Sequence, residues 1–152
     1  MYNKPIVPKD FDVPLGKNTS RCLIRPLSIR DVTRDFEAVM SSCQYLKKHF
    51  NPASDWPENL SLEQNMIDLG WHEYEFQNRT SFTYTITDLE NQRTLGCCYF
   101  YPSLEKDYEI RVSYWVRESE RNSGLDEHVG NTLRAWIESD WPFKNAFFVP
   151  SV

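Results

Sequence analysis

From Arg21 to Val149 the chain switches between a hydrophobic period near two and one near three and a half, and each switch marks an element boundary. Arg21 to Leu27 reads as a first strand, with Pro26 near its end. Ser28 followed by Asp31 is an acidic variant of the helix-capping pattern, and Val32, Phe36, Val39, Met40 and Cys43 then share one helical face. Residues 51–60, with Pro52, Trp56 and Pro57, form a connection. Ser61 with Gln64 is a second capping pattern, opening a helix through about Gln77 with Leu62, Met66, Leu69 and Phe76 on roughly one side.

The period then falls to two. Thr80 to Thr87 alternates Phe82, Tyr84 and Ile86 with threonines, which predicts a half-buried strand. Asp88 to Arg93 is a turn, Leu95 to Tyr101 a strand, Pro102 to Asp107 a second turn, and Tyr108 to Val116 a third strand, so an antiparallel meander is expected. From Gly124 the helical period returns through Leu125, Val129, Leu133, Trp136 and Ile137, and Trp141-Pro142 ends it. Asn145 to Val149 is a short apolar strand. Residues 1–19, with Pro5, Pro8, Pro14 and Gly16, hold no sustained period and read as an N-terminal arm without a functional role. Residues 20–152 then form a single α+β domain in the order strand, helix, helix, three strands, helix, strand.

Composition narrows the function classes. With 152 residues, 40% hydrophobic and 14% aromatic, the chain can bury one substantial core and is too apolar for disorder. A net charge of −5 without a basic patch argues against a nucleic-acid partner, because phosphate-backbone affinity needs clustered Lys and Arg. No apolar run is long enough to span a bilayer, and the opening Met-Tyr-Asn-Lys-Pro lacks a signal peptide's apolar stretch. A cytoplasmic protein without a membrane partner is expected. Cys22, Cys43, Cys97 and Cys98 have neither a Cys-x-x-Cys spacing nor a histidine in ligand register, so they read as buried reduced thiols rather than metal ligands. Cys97 and Cys98 should point to opposite faces of their strand.

One segment carries chemistry. Val116-Arg-Glu-Ser-Glu-Arg121-Asn-Ser-Gly124-Leu-Asp126 follows a strand and opens an amphipathic helix. Its spacing resembles the cofactor loop of the GNAT superfamily of acyl-CoA-dependent acetyltransferases, Gln/Arg-x-x-Gly-x-Gly/Ala after a strand-ending valine. Arg121 and Gly124 fit, while Asp126 stands where a glycine or alanine is expected. The element order also resembles the first part of the GNAT fold, a mixed, mainly antiparallel sheet flanked by helices, without its last helix and final two strands.

The resemblance implies an N-acetyltransferase that moves an acetyl group from acetyl-CoA to an amine of a small molecule or a protein. It places the pyrophosphate on the amides of Asn122, Ser123, Gly124, Leu125, Asp126 and Glu127, beside Arg121, where a helix N-terminus favours anions. It places the pantetheine along the backbone of Tyr114, Trp115 and Val116. Asp126 and Glu127 oppose this, since acids at the same positive helix end repel a phosphate. From Arg117 to Asp140 six acids (Glu118, Glu120, Asp126, Glu127, Glu138, Asp140) face three bases (Arg117, Arg121, Arg134).

For catalysis, the strand position where the family often carries a glutamate base holds Arg111, which leaves Glu109 as its substitute and Tyr114 as a candidate acid. The acceptor pocket is expected between His49 and Ser61 and along the second helix, lined by Trp56, Trp71 and Tyr74. A non-catalytic GNAT-like module with a degenerate acetyl-CoA site is the alternative. In that case the apolar Asn145 to Val149 strand would offer an edge for a homodimer, or for the N-terminal arm to cover.

Overall fold

The computed structural model describes residues 2–50 and 54–150; Pro52 of the expected connection lies outside the described residues. The elements in chain order are β1 (Lys17–Asn18), β2 (Leu23–Pro26), α1 (Val32–Ser41), α2 (Cys43–Phe50), α3 (Leu62–Gln77), β3 (Phe82–Thr87), β4 (Thr94–Pro102), β5 (Ile110–Val116), α4 (Leu125–Asp140) and β6 (Ala146–Phe148). The six strands stand in one sheet in the order β1-β2-β3-β4-β5-β6. Pairing is antiparallel from β1 to β5, as the meander predicts, and parallel between β5 and β6. The parallel step follows from α4, which carries the chain back across one sheet face before β6 begins.

Both faces of the sheet are covered. On one face α4 places Val129, Leu133 and Trp136 against Ile24, Tyr84, Ile86, Phe100 and Val112. On the other, Ala38 and Val39 of α1, Leu46 of α2 and Leu69 of α3 pack with Cys97 and Trp115. Cys97 and Cys98 accordingly lie in different clusters, and all four thiols are free, three of them buried.

This double cover corrects two expectations. The strand Phe82–Thr87 is not half-buried: all six residues are buried, because α3 closes over the threonine face, where Thr83 hydrogen-bonds His72. The helical faces also rotate. In α1 the buried positions are Asp35, Ala38 and Val39, and in α3 they are Asn65, Leu69 and Glu75, while Leu62 and Met66 are 43% exposed. The polar residues turn inward because they line a cavity between these helices and the sheet.

Local signals hold the ends. Ser28 and Asp31 form a complete reciprocal cap ahead of α1, and the Ser61 hydroxyl accepts the Gln64 N–H at 3.0 Å. The helical stripe that runs through Cys43 in sequence is broken at Ser42, where α1 gives way to α2. The buried Ser42 Oγ accepts the Glu118 N–H at 2.9 Å, so the break fits around the segment leaving β5.

Residues 2–14 lie on the domain rather than apart from it. Val7 is buried, the Ile6 N–H donates to Arg79 O at 2.9 Å, and the Tyr84 hydroxyl donates to Pro14 O at 2.7 Å. No described helix is long and apolar enough to cross a membrane.

Candidate functional site

Two strands that pair over only part of their length create an opening. β6 pairs with β5 at Ile110–Val112, and the Val149 N–H adds a last bond to Val112 O at 2.9 Å. Beyond Val112 the outer edge of β5 has no strand beside it among the described residues. In the ladder the Arg117 N–H donates to Leu95 O of the inner neighbour, and the Trp115 carbonyl points at Gly96 on that same side. Strand alternation therefore turns the N–H and C=O of Tyr114 and Val116 outward, into the opening.

Trp115, which the sequence reading places in the ligand's path, is turned away from it. Its backbone pairs inward, opposite Cys97, and its buried indole N–H donates to the Tyr99 hydroxyl at 2.8 Å. A ligand strand laid along this edge meets the polar groups of Tyr114 and Val116 only, because main-chain groups alternate sides along a strand.

The two faces of β5 look into two different cavities. On the α4 face, a cavity of about 400 Å³ is bounded by Tyr114, Arg121, Gly124, Asp126, Gly130 and Arg134. Gly124 has φ +84°, the left-handed conformation that glycine adopts without strain, and it turns the chain into α4. Gly130 lets the helix approach: a Cβ there would stand 2.6 Å from the Tyr114 hydroxyl oxygen. The loop is held from behind, since Arg21 donates to the Ser123 carbonyl at 3.0 Å and Ser123 Oγ donates to Glu120 O at 2.7 Å.

The anion-binding capacity of the helix start is partly spent. The Leu125 amide donates to Ser123 Oγ at 3.3 Å and the Ser123 amide to Glu120 O at 3.2 Å. Leu125 itself is buried in the core and presents no side chain to the cavity. The amides of Asn122, Gly124, Asp126 and Glu127 show no acceptor among the described residues, so they are the donors left to a ligand. Arg121 lies over the Tyr45 ring with its guanidinium carbon 3.9 Å from the ring centre and reaches Glu118 at 3.4 Å. Burial pushes the Tyr45 hydroxyl up to about 12, against the opposing pull of Arg121.

On the opposite face a larger cavity of about 770 Å³ lies between α1, α3 and the ends of β4 and β5. Its polar groups include Asp35, Asn65, His72, Glu75, Tyr99 and Arg111, and Phe50, Trp56 and Trp71 supply aromatic wall. Tyr74, expected beside them, does not line it and is 52% exposed. At its floor Asp35 accepts from Asn65 Nδ2 at 2.9 Å and from the Cys97 thiol at 3.4 Å. Burial drives the Asp35 carboxyl above its ordinary value, with those two hydrogen bonds working against the rise. Burial likewise pushes the Tyr99 and Tyr101 hydroxyls up and the His72 imidazole down, so all three are neutral near pH 7.

Glu109 takes no part in either cavity. It is exposed at the entry to β5, where its carboxylate accepts the Lys144 N–H at 2.6 Å and its own N–H donates to Asn145 O at 2.8 Å, which anchors the approach to β6. The Tyr114 side chain belongs to the α4 face, across the sheet from Asp35 and His72. Asp35, Asn65, His72 and Glu75 were missed as a group. Their only sequence signal is polar residues at i, i+7 and i+10 within α3 that would occupy its inward face, and a pattern scored on apolar residues passes over them.

The candidate site is thus a strand edge left open beside a glycine turn, with a cavity on each side of the sheet. No family model matches the chain, and no curated protein matches it in sequence. Solved structures do match. A ribosomal L7/L12 alpha-N-protein acetyltransferase superposes with a TM-score of 0.62 at 16% identity over 82% of this chain. A protein described as a probable acetyltransferase reaches 0.72 at 12% identity over 88% of this chain and 72% of its own. This protein has the GNAT fold. A third GNAT-fold match, a microcin C7 self-immunity acetyltransferase in complex with acetyl-CoA and AMP, gives 0.61 at 11% identity over 84% of this chain and 69% of its own. The chain spans 64% of the length of the L7/L12 enzyme.

Proposed function

We propose that the protein is an acyl-CoA-dependent N-acetyltransferase, with acetyl-CoA entering along the open edge of β5 and the acceptor amine in the larger cavity. The observation that carries this reading is the outward turn of the Tyr114 and Val116 main-chain groups between the two cavities. An extended pantetheine, which has two amides, fits such an edge as an added strand would. The pyrophosphate would then lie at the start of α4, against the Asp126 and Glu127 amides and the Arg121 and Arg134 side chains. The thioester would reach the face shared with Arg111 and Ser113.

The reaction follows from that arrangement. The amine nitrogen, once deprotonated, attacks the thioester carbonyl; the new C–N bond forms as the C–S bond breaks, and the sulfur leaves as a thiolate that takes up a proton. Water is held off on one side by the aromatic wall. Glu109 and Tyr114 point away from the place where that amine would stand, so neither is assigned as base or acid.

The acids at the start of α4 favour a second reading, a binding module of GNAT fold that no longer takes acetyl-CoA. One titration separates the two. Acetyl-CoA at 100 times its dissociation constant should raise the folding stability by roughly 2.7 kcal/mol. A thermal-unfolding curve unmoved by millimolar acetyl-CoA, with no heat on mixing, would abolish the enzymatic reading and leave the module.

A further inference from the structure

Asp35 is a buried carboxylate that faces a cavity without a cation to balance it. Its side chain is on α1, 3% of the residue is exposed, and both of its oxygens are held by neutral donors, Asn65 Nδ2 and the Cys97 thiol. The contrast with Asp31, one turn earlier on the same side, is informative: Asp31 is equally buried but is paired with Arg25 at 2.7 Å and Arg34 at 3.2 Å. Among the described residues no Lys, Arg or His makes an ion pair with Asp35. Of the other charged groups lining the cavity, Asp68 and Glu75 are acids, and Arg111 stands on β5 opposite Tyr101, four residues along from the Cys97–Trp115 pair.

A buried carboxylate in this state is either neutralised by a proton or completed by a ligand's positive charge. The walls next to it suit the second. Phe50, Trp56 and Tyr99 form an aromatic set with edge-on contacts at 6.4 and 6.1 Å, and aromatic faces attract organic cations. Within the acetyltransferase reading, on which this rests, we infer that Asp35 selects the acceptor: the site takes an organic monocation whose ammonium ends on the Asp35 carboxylate and whose apolar body lies on Trp56, Phe50 and Trp71. The Asn65 and Cys97 hydrogen bonds position the carboxylate for it. A neutral molecule of the same shape would occupy the walls but leave the carboxylate unmatched.

The test uses the whole chain and two probes of one shape, benzylamine and benzyl alcohol, titrated calorimetrically at pH 7.5. Benzylamine should bind at least tenfold more tightly than benzyl alcohol, and D35N should remove that difference while leaving acetyl-CoA binding unchanged. Equal affinity for the two probes, absence of benzylamine binding, or a D35N protein that keeps the preference would each overturn the proposal. The wild-type comparison decides the matter even if D35N does not fold. Benzylamine binding without acetyl-CoA binding would keep the Asp35 site and discard the acetyltransferase reading.

Discussion

Arg117 and Glu37 are joined by a two-pronged ion pair that ties the end of β5 to α1. Arg117 is buried, 4% exposed, while its partner is 55% exposed; the same guanidinium also donates to Thr94 O at 3.0 Å and to Ser41 Oγ at 3.2 Å. The pair fixes where the open strand ends and the α4 loop begins. Replacing Arg117 by Met should therefore destabilise the fold by roughly 2–3 kcal/mol, since hydrogen bonds to a buried charge are lost together. Glu37→Gln should lose less, on the order of 1 kcal/mol, because water reaches that side of the pair. Urea denaturation of both variants checks the order; a larger loss in Glu37→Gln would contradict it.

Acid should weaken the protein through Asp31. Burial alone would raise this carboxyl, but hydrogen bonds from Arg25 and the Ser28 amide, with the Arg25 and Arg34 charges, outweigh it and hold the group below its ordinary value. A carboxyl depressed in the folded state contributes stability above its unfolded pKa, near 3.9, and loses it as pH falls through the folded value. Folding free energy measured from pH 6 to pH 2 should fall below about pH 4, and Asp31→Asn should start lower and fall less. Parallel curves for the two proteins would assign the acid sensitivity to other carboxyls.

Two glycines predict opposite outcomes. A Cβ at Gly96 would stand 2.0 Å from the Trp115 carbonyl oxygen, a backbone atom that cannot step aside, so Gly96→Ala should destabilise by roughly 3 kcal/mol or more. At Gly130 the obstacle is the hydroxyl end of the Tyr114 side chain, not backbone. Gly130→Ala should stay within about 1 kcal/mol of the parent. Thermal melts of the two variants decide it, and similar losses would mean that Tyr114 is as fixed as the backbone.

The proposed cofactor site makes its own prediction. Asp126 lines the smaller cavity at the positive end of α4, where its charge would oppose a pyrophosphate. Asp126→Asn should tighten acetyl-CoA binding about fivefold at low salt, equivalent to on the order of 1 kcal/mol. The gain should shrink at high salt. Unchanged affinity across salt concentrations would remove the pyrophosphate from this helix start.

Element order was readable because hydrophobic period reports secondary structure directly, and Val116, Arg121 and Gly124 locate a strand, a loop and a helix without knowledge of their neighbours. Burial was readable only where one face of an element is covered. On β3 the Phe82, Tyr84 and Ile86 face was legible, but the threonine face is buried by α3, the preceding helix, whose folding back over the sheet no period-two pattern reports. The same limit hid the larger cavity. Asp35 and Asn65 are 30 residues apart and meet at 2.9 Å only because α1 and α3 pack side by side on the sheet.

The sequence by itself determined the order of strands and helices, the capped starts before α1 and α3, and the glycine turn into α4, since each depends on residues within a few positions of one another. Tertiary structure alone decided which polar groups face a ligand. It turned the backbone of Tyr114 and Val116 outward and that of Trp115 inward, withdrew Glu109 to the Lys144 amide, and set Asp35 without a counter-cation at a cavity floor. Those outcomes depend on strand register and helix packing, which are set by distant pairings that no local pattern encodes.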